Sequence, residues 1–281
     1  MNNIDIAQVQ ADVRLALQED LGGGDVTAEL LPEELWVEAE IITREPMLVC
    51  GQEWVEQVFQ QVDTTIHIDW HVAEGQWLNT PQSLCHLKGK ARSILTAERT
   101  ALNFLQTLSA TATQTYHYVQ KLKGTSTRLL DTRKTIPGLR FAQKYAVRCA
   151  GGVNHRIGLY DAFLIKENHI KSCGSIASAI NSARQAGKTL LVETEVENLT
   201  ELKEALEAGP DRILLDNFTQ EMLVEAVKMN HAKQCSLEAS GGITLDNIAE
   251  VARSGVDFIS VGAITKSIQA IDLSLLVREL I

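Results

Sequence analysis

Several things are scarce in this 281-residue chain. Its five cysteines (Cys50, Cys85, Cys149, Cys173, Cys235) are odd in number and scattered, with no CxxC pair. That pattern argues against a disulfide framework or a zinc site and fits a reducing, cytoplasmic setting. Seven histidines are as dispersed. His67 and His71 could share a strand face, but no further ligand stands at metal spacing. No apolar run approaches the ~20 residues of a membrane-spanning helix. The opening MNNIDIAQVQADVR carries no basic-then-apolar leader. Nucleotide loops of the GxGxxG or GxxxxGKS kind are missing too. Positive charge is short: 26 Lys and Arg against 36 Asp and Glu leave a formal −10. A nucleic-acid binder is expected to be basic overall, and this chain is not.

Against that acidic background one stretch stands out. Between Arg128 and Lys171 there are nine Lys or Arg and three acids (Asp131, Asp161, Glu167), a local excess of six positive charges. Arg133-Lys134 and His155-Arg156 lie next to turns, and Lys166 directly follows the apolar run Ala162–Ile165. A basic island in an acidic chain is a local device, and this one predicts a cationic pocket for small, multiply charged anions.

The first third reads as an α+β unit with an antiparallel sheet. Ile6, Val9, Val13 and Leu17 keep helical spacing behind Asp5, a candidate N-cap, and Gly22-Gly23-Gly24 stops the helix. Leu35/Val37/Ala39/Ile41 alternate with polar neighbours as a half-buried strand does. A helix follows Gly51. Strands are expected around Ile66–Val72 and Leu84–Ala91. Thr96 is placed as the cap of a helix whose first turn carries Arg99, with a second helix from Ala112 to Lys123. Arg99 reads either as a salt-bridged surface residue or as one aimed at an anion at that helix start.

From Arg128 onward short apolar runs alternate with helical segments, and each run ends in a polar or glycine residue. Leu130 gives way to Asp131, Ile165 to Lys166, Val192 to Glu193 through Glu195, and Leu215 to Asp216. The last two runs end at Ser240-Gly241-Gly242 and at Val261-Gly262-Ala263. This is the texture of repeated βα units around a parallel sheet. Six strands are clear, with a seventh candidate at 153–157. Helices are expected over 175–186, 199–208, 220–229 and 245–254. In a βα barrel the C-terminal strand ends form the site, and glycine-bearing loops after the last two strands often hold a phosphate. Glu195 and Asp216 end successive strands. They read either as caps and ion-pair partners of the island, or as ligands for hydroxyls or a divalent ion such as Mg²⁺. Lys166 at a strand end could form a Schiff base, but the density of competing cations favours anion binding. A ligand with a phosphate, a sugar and a further multiply charged group, such as phosphoribosyl pyrophosphate, would use all of these features.

DTRKTIPGLR, KYAVRCAGGVNHRIGLYDAFLIKENHI, LLDN, EASGGIT and ISVGA together resemble the quinolinate phosphoribosyltransferases. LALQEDLGGGDVTA and GKARSILTAERTALNFLQTLSATAT resemble the N-terminal region of that family, so the likeness runs nearly end to end. It implies an incomplete, open β/α barrel preceded by an α+β sandwich domain. The sandwich is expected over 1–112 and the barrel over 113–269, with a terminal helix over 270–281 packing back on the sandwich. The implied reaction converts quinolinate and phosphoribosyl pyrophosphate to nicotinate mononucleotide, pyrophosphate and CO₂ with Mg²⁺. The implied assembly is a homodimer in which Arg99 serves the partner's site.

By the same resemblance Arg133, His155 and Arg156 would hold the quinolinate carboxylates, with Thr132 beside them. Lys134 and Lys166, helped by His169, would bind pyrophosphate. Glu195 and Asp216 would take the ribose hydroxyls and the metal. Ser240, Gly241, Gly242, Val261, Gly262 and Ala263 would cradle the 5′-phosphate. Two positions depart from the pattern: Ala110 where Gly is usual after Ser109, and Lys266 where many members have histidine. The nearest rivals are a transferase for another acceptor, such as nicotinate, and a non-catalytic anion binder.

Overall fold

The computed structural model describes residues 4–232 and 234–280. It separates into two compact units. The first holds the residues up to Tyr116, Ile136–Gly151 and the chain from Ser267. The second holds His117–Thr135 and Gly152–Lys266.

The first unit opens with α1 (Ile6–Leu21) and β1 (Trp36–Thr43). Next come β2 (Met47–Leu48), α2 (Gln52–Val62), β3 (His67–Trp70), β4 (Trp77–Leu78) and β5 (Gln82–Lys90). Helix α3 (Ala91–Lys121) starts here. Asp5 caps α1, its carboxylate accepting the Gln8 amide, and the helix ends at Gly22 with φ +49. Glu74 caps α2, its two oxygens accepting the Gly51 and Gln52 amides. Trp54, Val55, Val58 and Phe59 of α2 are buried together with Ile94, Leu102, Leu105 and Leu108 of α3. This apolar stripe and the alternating inner face of β1 make one core.

Three expectations for this unit are corrected. Thr96 does not cap a helix, because α3 is continuous from Ala91. The Thr96 hydroxyl donates instead to Asp25 Oδ2 (2.8 Å). Arg99 therefore sits in the third turn and not at a dipole-bearing start, and Ala112–Lys121 continues the same helix. The terminal helix expected over 270–281, whose last residue lies outside the described residues, is strand β12 (Leu273–Leu280). It pairs antiparallel with β1, giving the order β12-β1-β5-β3. Leu273 and Leu275 are buried and alternate with the less buried Ser274 and Leu276, which is the period of a strand. Finally, α4 (Arg140–Cys149), in the middle of the basic island, belongs to this unit. Arg140, Lys144 and Arg148 go with it, so three of the nine cations lie outside the pocket's own unit.

The second unit is built on six parallel strands: β6 (Arg128–Leu130), β7 (Ala162–Ile165), β8 (Leu191–Val196), β9 (Arg212–Asp216), β10 (Ser236–Ser240) and β11 (Phe258–Ser260). Their order is β6-β11-β10-β9-β8-β7, with the first and last unpaired to each other, an incomplete barrel. The seventh candidate reduces to a single parallel bridge from Val153 to Leu130. Helices α5 (Glu167–Cys173), α6 (Ile176–Gln185), α7 (Leu199–Ala208), α8 (Gln220–Met229) and α9 (Ile248–Arg253) lie in the crossovers, and α10 (Ala263–Lys266) follows the last strand. Ser175, Asn198 and Thr219 cap α6, α7 and α8 through their side-chain oxygens. α9 starts three residues later than its apolar pattern suggests. Asn247 holds a turn first, accepting the Thr244 amide and donating to the Gly242 carbonyl.

Ser109 is fully buried in α3, and its hydroxyl both donates to the Cys50 carbonyl and accepts the Cys50 amide (3.1 Å each). Ser109→Ala leaves both backbone groups unsatisfied and should cost about 1–3 kcal/mol. A urea melt checks this; an unchanged midpoint would show that the two bonds contribute nothing.

Candidate active site

Parallel pairing fixes what the strand ends present. Asp216 lies directly opposite Ser240 across β9 and β10, and Glu195 is opposite Leu214 across β8 and β9. Side chains that alternate along these strands therefore deliver Glu195, Asp216 and Ser240 to the same mouth. Lys166, just past β7, reaches across and pairs with Glu195. Lys166 is also the N-cap of α5, where its amide donates to His169 Nδ1 (3.0 Å).

The mouth opens on a pocket of about 330 Å³. Thr132, Arg133, Lys134, His155, Arg156 and Lys166 line its cationic side, and Glu195, Asp216, Glu238, Ser240 and Ser260 line the other, over Leu164 and Leu214. Seven expected site residues besides Ser240 and Thr132 thus meet in one cavity. His169, Gly241, Gly242, Val261, Gly262 and Ala263 do not line it. Gly241 borders a neighbouring cavity of about 200 Å³ together with Ser240. Arg99 belongs to the first unit, where its side chain is 58% exposed and 4.0 Å from Glu98.

The loops that carry the cations are tied to the sheet. Buried Asp131 accepts the His155 amide (2.8 Å) and the Asn154 side-chain amide, so the 153–156 segment hangs from the end of β6. Thr132 Oγ1 accepts the Lys134 amide, and the Thr265 hydroxyl donates to the Lys134 carbonyl (2.7 Å). At Gly262 a Cβ would come within 3.0 Å of Lys134 Cδ, so the lysine needs that bare backbone. Gly241, at φ +97, is more constrained still. A Cβ there would fall 2.1 Å from Asn217 Oδ1. Asn217 itself has φ +56 and donates from Nδ2 to Asp216 Oδ2 (2.9 Å). Lys266 is exposed at the end of α10.

Beneath the cations lies a layer that apolar patterning hides. Glu193 on β8 and Glu238 on β10 are fully buried inside strands that otherwise read as apolar. Arg212, on β9 between them, stands 3.2 Å from Glu238 and over the Phe258 ring. His155 Nε2 lies 3.0 Å from Glu193 and 3.5 Å from Glu238. Burial raises the Glu193 carboxyl, with Arg212 opposing the rise. Burial and the neighbouring Glu193 charge push Glu238 up to about 7. Burial and then Arg133 lower the Arg156 guanidinium. The signals that could have marked this layer were Val196, an apolar residue resuming after Glu193–Glu195 and so extending the strand, and the acid of Leu-Glu-Ala.

Two carboxylate sets could meet a cation. Glu195 and Asp216 offer hard oxygens at the open mouth, which suits Mg²⁺ shared with phosphates. His155, Glu193 and Glu238 bring ligand atoms within 4.8 Å of one another, but Arg212 already supplies positive charge there.

An open β/α barrel whose mouth combines four cations and two carboxylates, with glycine loops beside it, defines a class of protein suited to a polyanionic sugar phosphate. The comparisons narrow it. The Quinolinate phosphoribosyl transferase C-terminal domain matches residues 111–276, and the N-terminal domain of the same family matches residues 25–109. The chain belongs to the quinolinate phosphoribosyltransferase family. A probable nicotinate-nucleotide pyrophosphorylase [carboxylating] of Bacillus subtilis is 40% identical over 92% of this chain and 89% of its own length. The corresponding Mycobacterium leprae protein is 40% identical over 94% and 95%. A solved Francisella tularensis nicotinate-nucleotide pyrophosphorylase superposes with a TM-score of 0.93 at 49% identity, covering 99% of this chain and 98% of that one.

Because the fold favours the neutral form of Glu238, its contribution to stability is complete below its unfolded pKa, near the ordinary carboxyl value of 4.5, and is lost as pH rises through about 7. Glu238→Gln should remove that loss. Wild-type thermal midpoints should fall relative to the variant between pH 5 and 8, and parallel curves would contradict the assignment.

Proposed function

We propose that this protein transfers the phosphoribosyl group of phosphoribosyl pyrophosphate to quinolinate with decarboxylation, giving nicotinate mononucleotide, pyrophosphate and CO₂ in the synthesis of NAD. The single observation that carries this reading is the convergence of Arg133, Arg156, Lys134, Lys166, Glu195 and Asp216 on one pocket.

Each group has chemistry to do. Arg133 and Arg156 present planar forks that suit a dicarboxylate. Lys134 and Lys166 offer ammonium charge to the leaving pyrophosphate, and Lys166 gives up its Glu195 partner to do so. As the bond from the ribose carbon to pyrophosphate breaks, positive charge grows on the ribose, where Glu195 and Asp216 stabilise it and accept its hydroxyls. The pyridine nitrogen then bonds to that carbon and becomes a pyridinium. The electron pair left by departing CO₂ is held next to the positive nitrogen and takes up one proton, so no organic cofactor is needed. Glu195 and Asp216 would hold Mg²⁺, which when bound with phosphoribosyl pyrophosphate neutralises the leaving group. Ser240, Gly241 and Gly242, with Val261, Gly262 and Ala263, take the 5′-phosphate on backbone amides; a side chain would collide with Asn217 at Gly241 and with Lys134 at Gly262. Thr132 and His169 hold the two lysine-bearing turns.

The active form is a cytoplasmic homodimer in which Arg99 from one subunit completes the quinolinate site of the other. No helix among the described residues is long and apolar enough to cross a membrane. Quinolinate carries one more negative charge than nicotinate, and the paired arginines favour the dianion.

Purified protein with both substrates should release CO₂ and form nicotinate mononucleotide; nicotinate should not replace quinolinate. Equal turnover of nicotinate without CO₂ would point to the other acceptor, and binding of phosphoribosyl pyrophosphate without any turnover would point to an anion-binding protein. Arg99→Ala and Arg133→Ala, each inactive alone, should regain part of the activity on mixing, because one of the two sites in a mixed dimer is intact. No recovery after demonstrated subunit exchange would contradict the shared site.

A further inference from the structure

Barrel interiors are ordinarily filled by branched apolar side chains. Here one interior level is charged. Glu193 and Glu238 are fully buried, with Arg212 held between their strands. Two buried carboxylates against one guanidinium cost the fold more than hydrophobic residues of equal volume would. Stability gives no reason for them, so what they touch has to supply one.

They touch His155. Its ring presents Nε2 to Glu193 at 3.0 Å and to Glu238 at 3.5 Å. Its Nδ1 accepts the Arg156 amide at 2.7 Å, which leaves the ring proton on Nε2, facing the acids. Both nitrogens are therefore spent inside the protein, and the side chain is only 8% exposed. The same ring lines the pocket. It can fix the backbone from which Arg156 projects, whose other anchor is the His155 amide on Asp131. Glu193 also supplies counter-charge to Arg156, opposing the effects of burial and of Arg133 beside it. The remaining groups around the acids are Ser260, hydrogen-bonded to Glu238, and Glu195 above Glu193.

We infer that Glu193 and Glu238 are positioning residues that, through His155, aim Arg156 at the second carboxylate of the acceptor and so set the preference for a ring with two adjacent carboxylates over a ring with one. The inference rests on the reaction assigned above and deepens it: through His155 the buried acids orient the arginine that meets the second carboxylate. Two arginines can then stand side by side before any ligand arrives, because the charge beneath them is already in place.

The test compares inhibition by benzene-1,2-dicarboxylate with inhibition by pyridine-3-carboxylate, alongside KM for phosphoribosyl pyrophosphate. Glu193→Gln and Glu238→Gln should each weaken the dicarboxylate by about tenfold and leave the monocarboxylate and the pyrophosphate substrate within about twofold, the size expected for a misplaced positioning group. His155→Ala should have the same pattern, and His155→Ala/Glu193→Gln should be no worse than His155→Ala alone, since both act through one path. If a Gln variant fails to fold, His155→Ala carries the comparison by itself. Equal weakening of both acids, or additive losses in the double variant, overturns the inference. Wild-type CO₂ release is measured in parallel: its absence sinks the assigned reaction, whereas unchanged discrimination in active variants overturns only the positioning role.

Discussion

Four cations cannot stand around an empty pocket unless counter-charge is built in, and in this fold parallel strand pairing supplies it. Glu195 and Asp216 reach the mouth because β8 and β9 run side by side with the same polarity. Glu195 holds Lys166 there, and Asp131 at the end of β6 anchors the loop that carries His155 and Arg156. Glu193 and Glu238 repeat the arrangement one level deeper. Break the parallel register and the cations would repel one another, with no acids facing them.

The chemistry uses the same balance twice. Before substrate arrives, the acids make the cationic surface affordable in free energy. In the proposed reaction, pyrophosphate on Lys134 and Lys166 would release Glu195 to face the positive charge growing on the ribose. A site of this kind responds to ligand mainly by exchanging ion-pair partners, which lets the barrel stay rigid while the charges redistribute.

Much of this was legible in the sequence, for a physical reason. A buried parallel strand must be apolar along its length and must end where solvent begins, so each run announced both a strand and the residue at its mouth. Asp131, Lys166, Glu195, Asp216, Ser240 and Gly262 were all placed by that rule. What was hidden followed from the rule's exceptions. Glu193 reads as the polar end of the run closing at Val192, yet β8 continues to Val196 and buries it, while Glu238 is a single acid within a short strand. Thr96 has the residue type of a cap but spends its hydroxyl on Asp25, so α3 runs through it. Leu273–Leu280 carries leucines enough for either period, and pairing with β1 decided the matter. The basic island looked continuous in sequence, yet α4 takes three of its cations into the other unit.

In the proposed reaction the ring nitrogen is alkylated first, and the resulting pyridinium then loses the neighbouring carboxylate as CO₂. Quinolinate labelled in its 2-carboxylate or in its 3-carboxylate tests this directly. The prediction is labelled CO₂ from the 2-position alone, and only when phosphoribosyl pyrophosphate is present. Label released from the 3-position, or from the 2-position without the sugar phosphate, would contradict it.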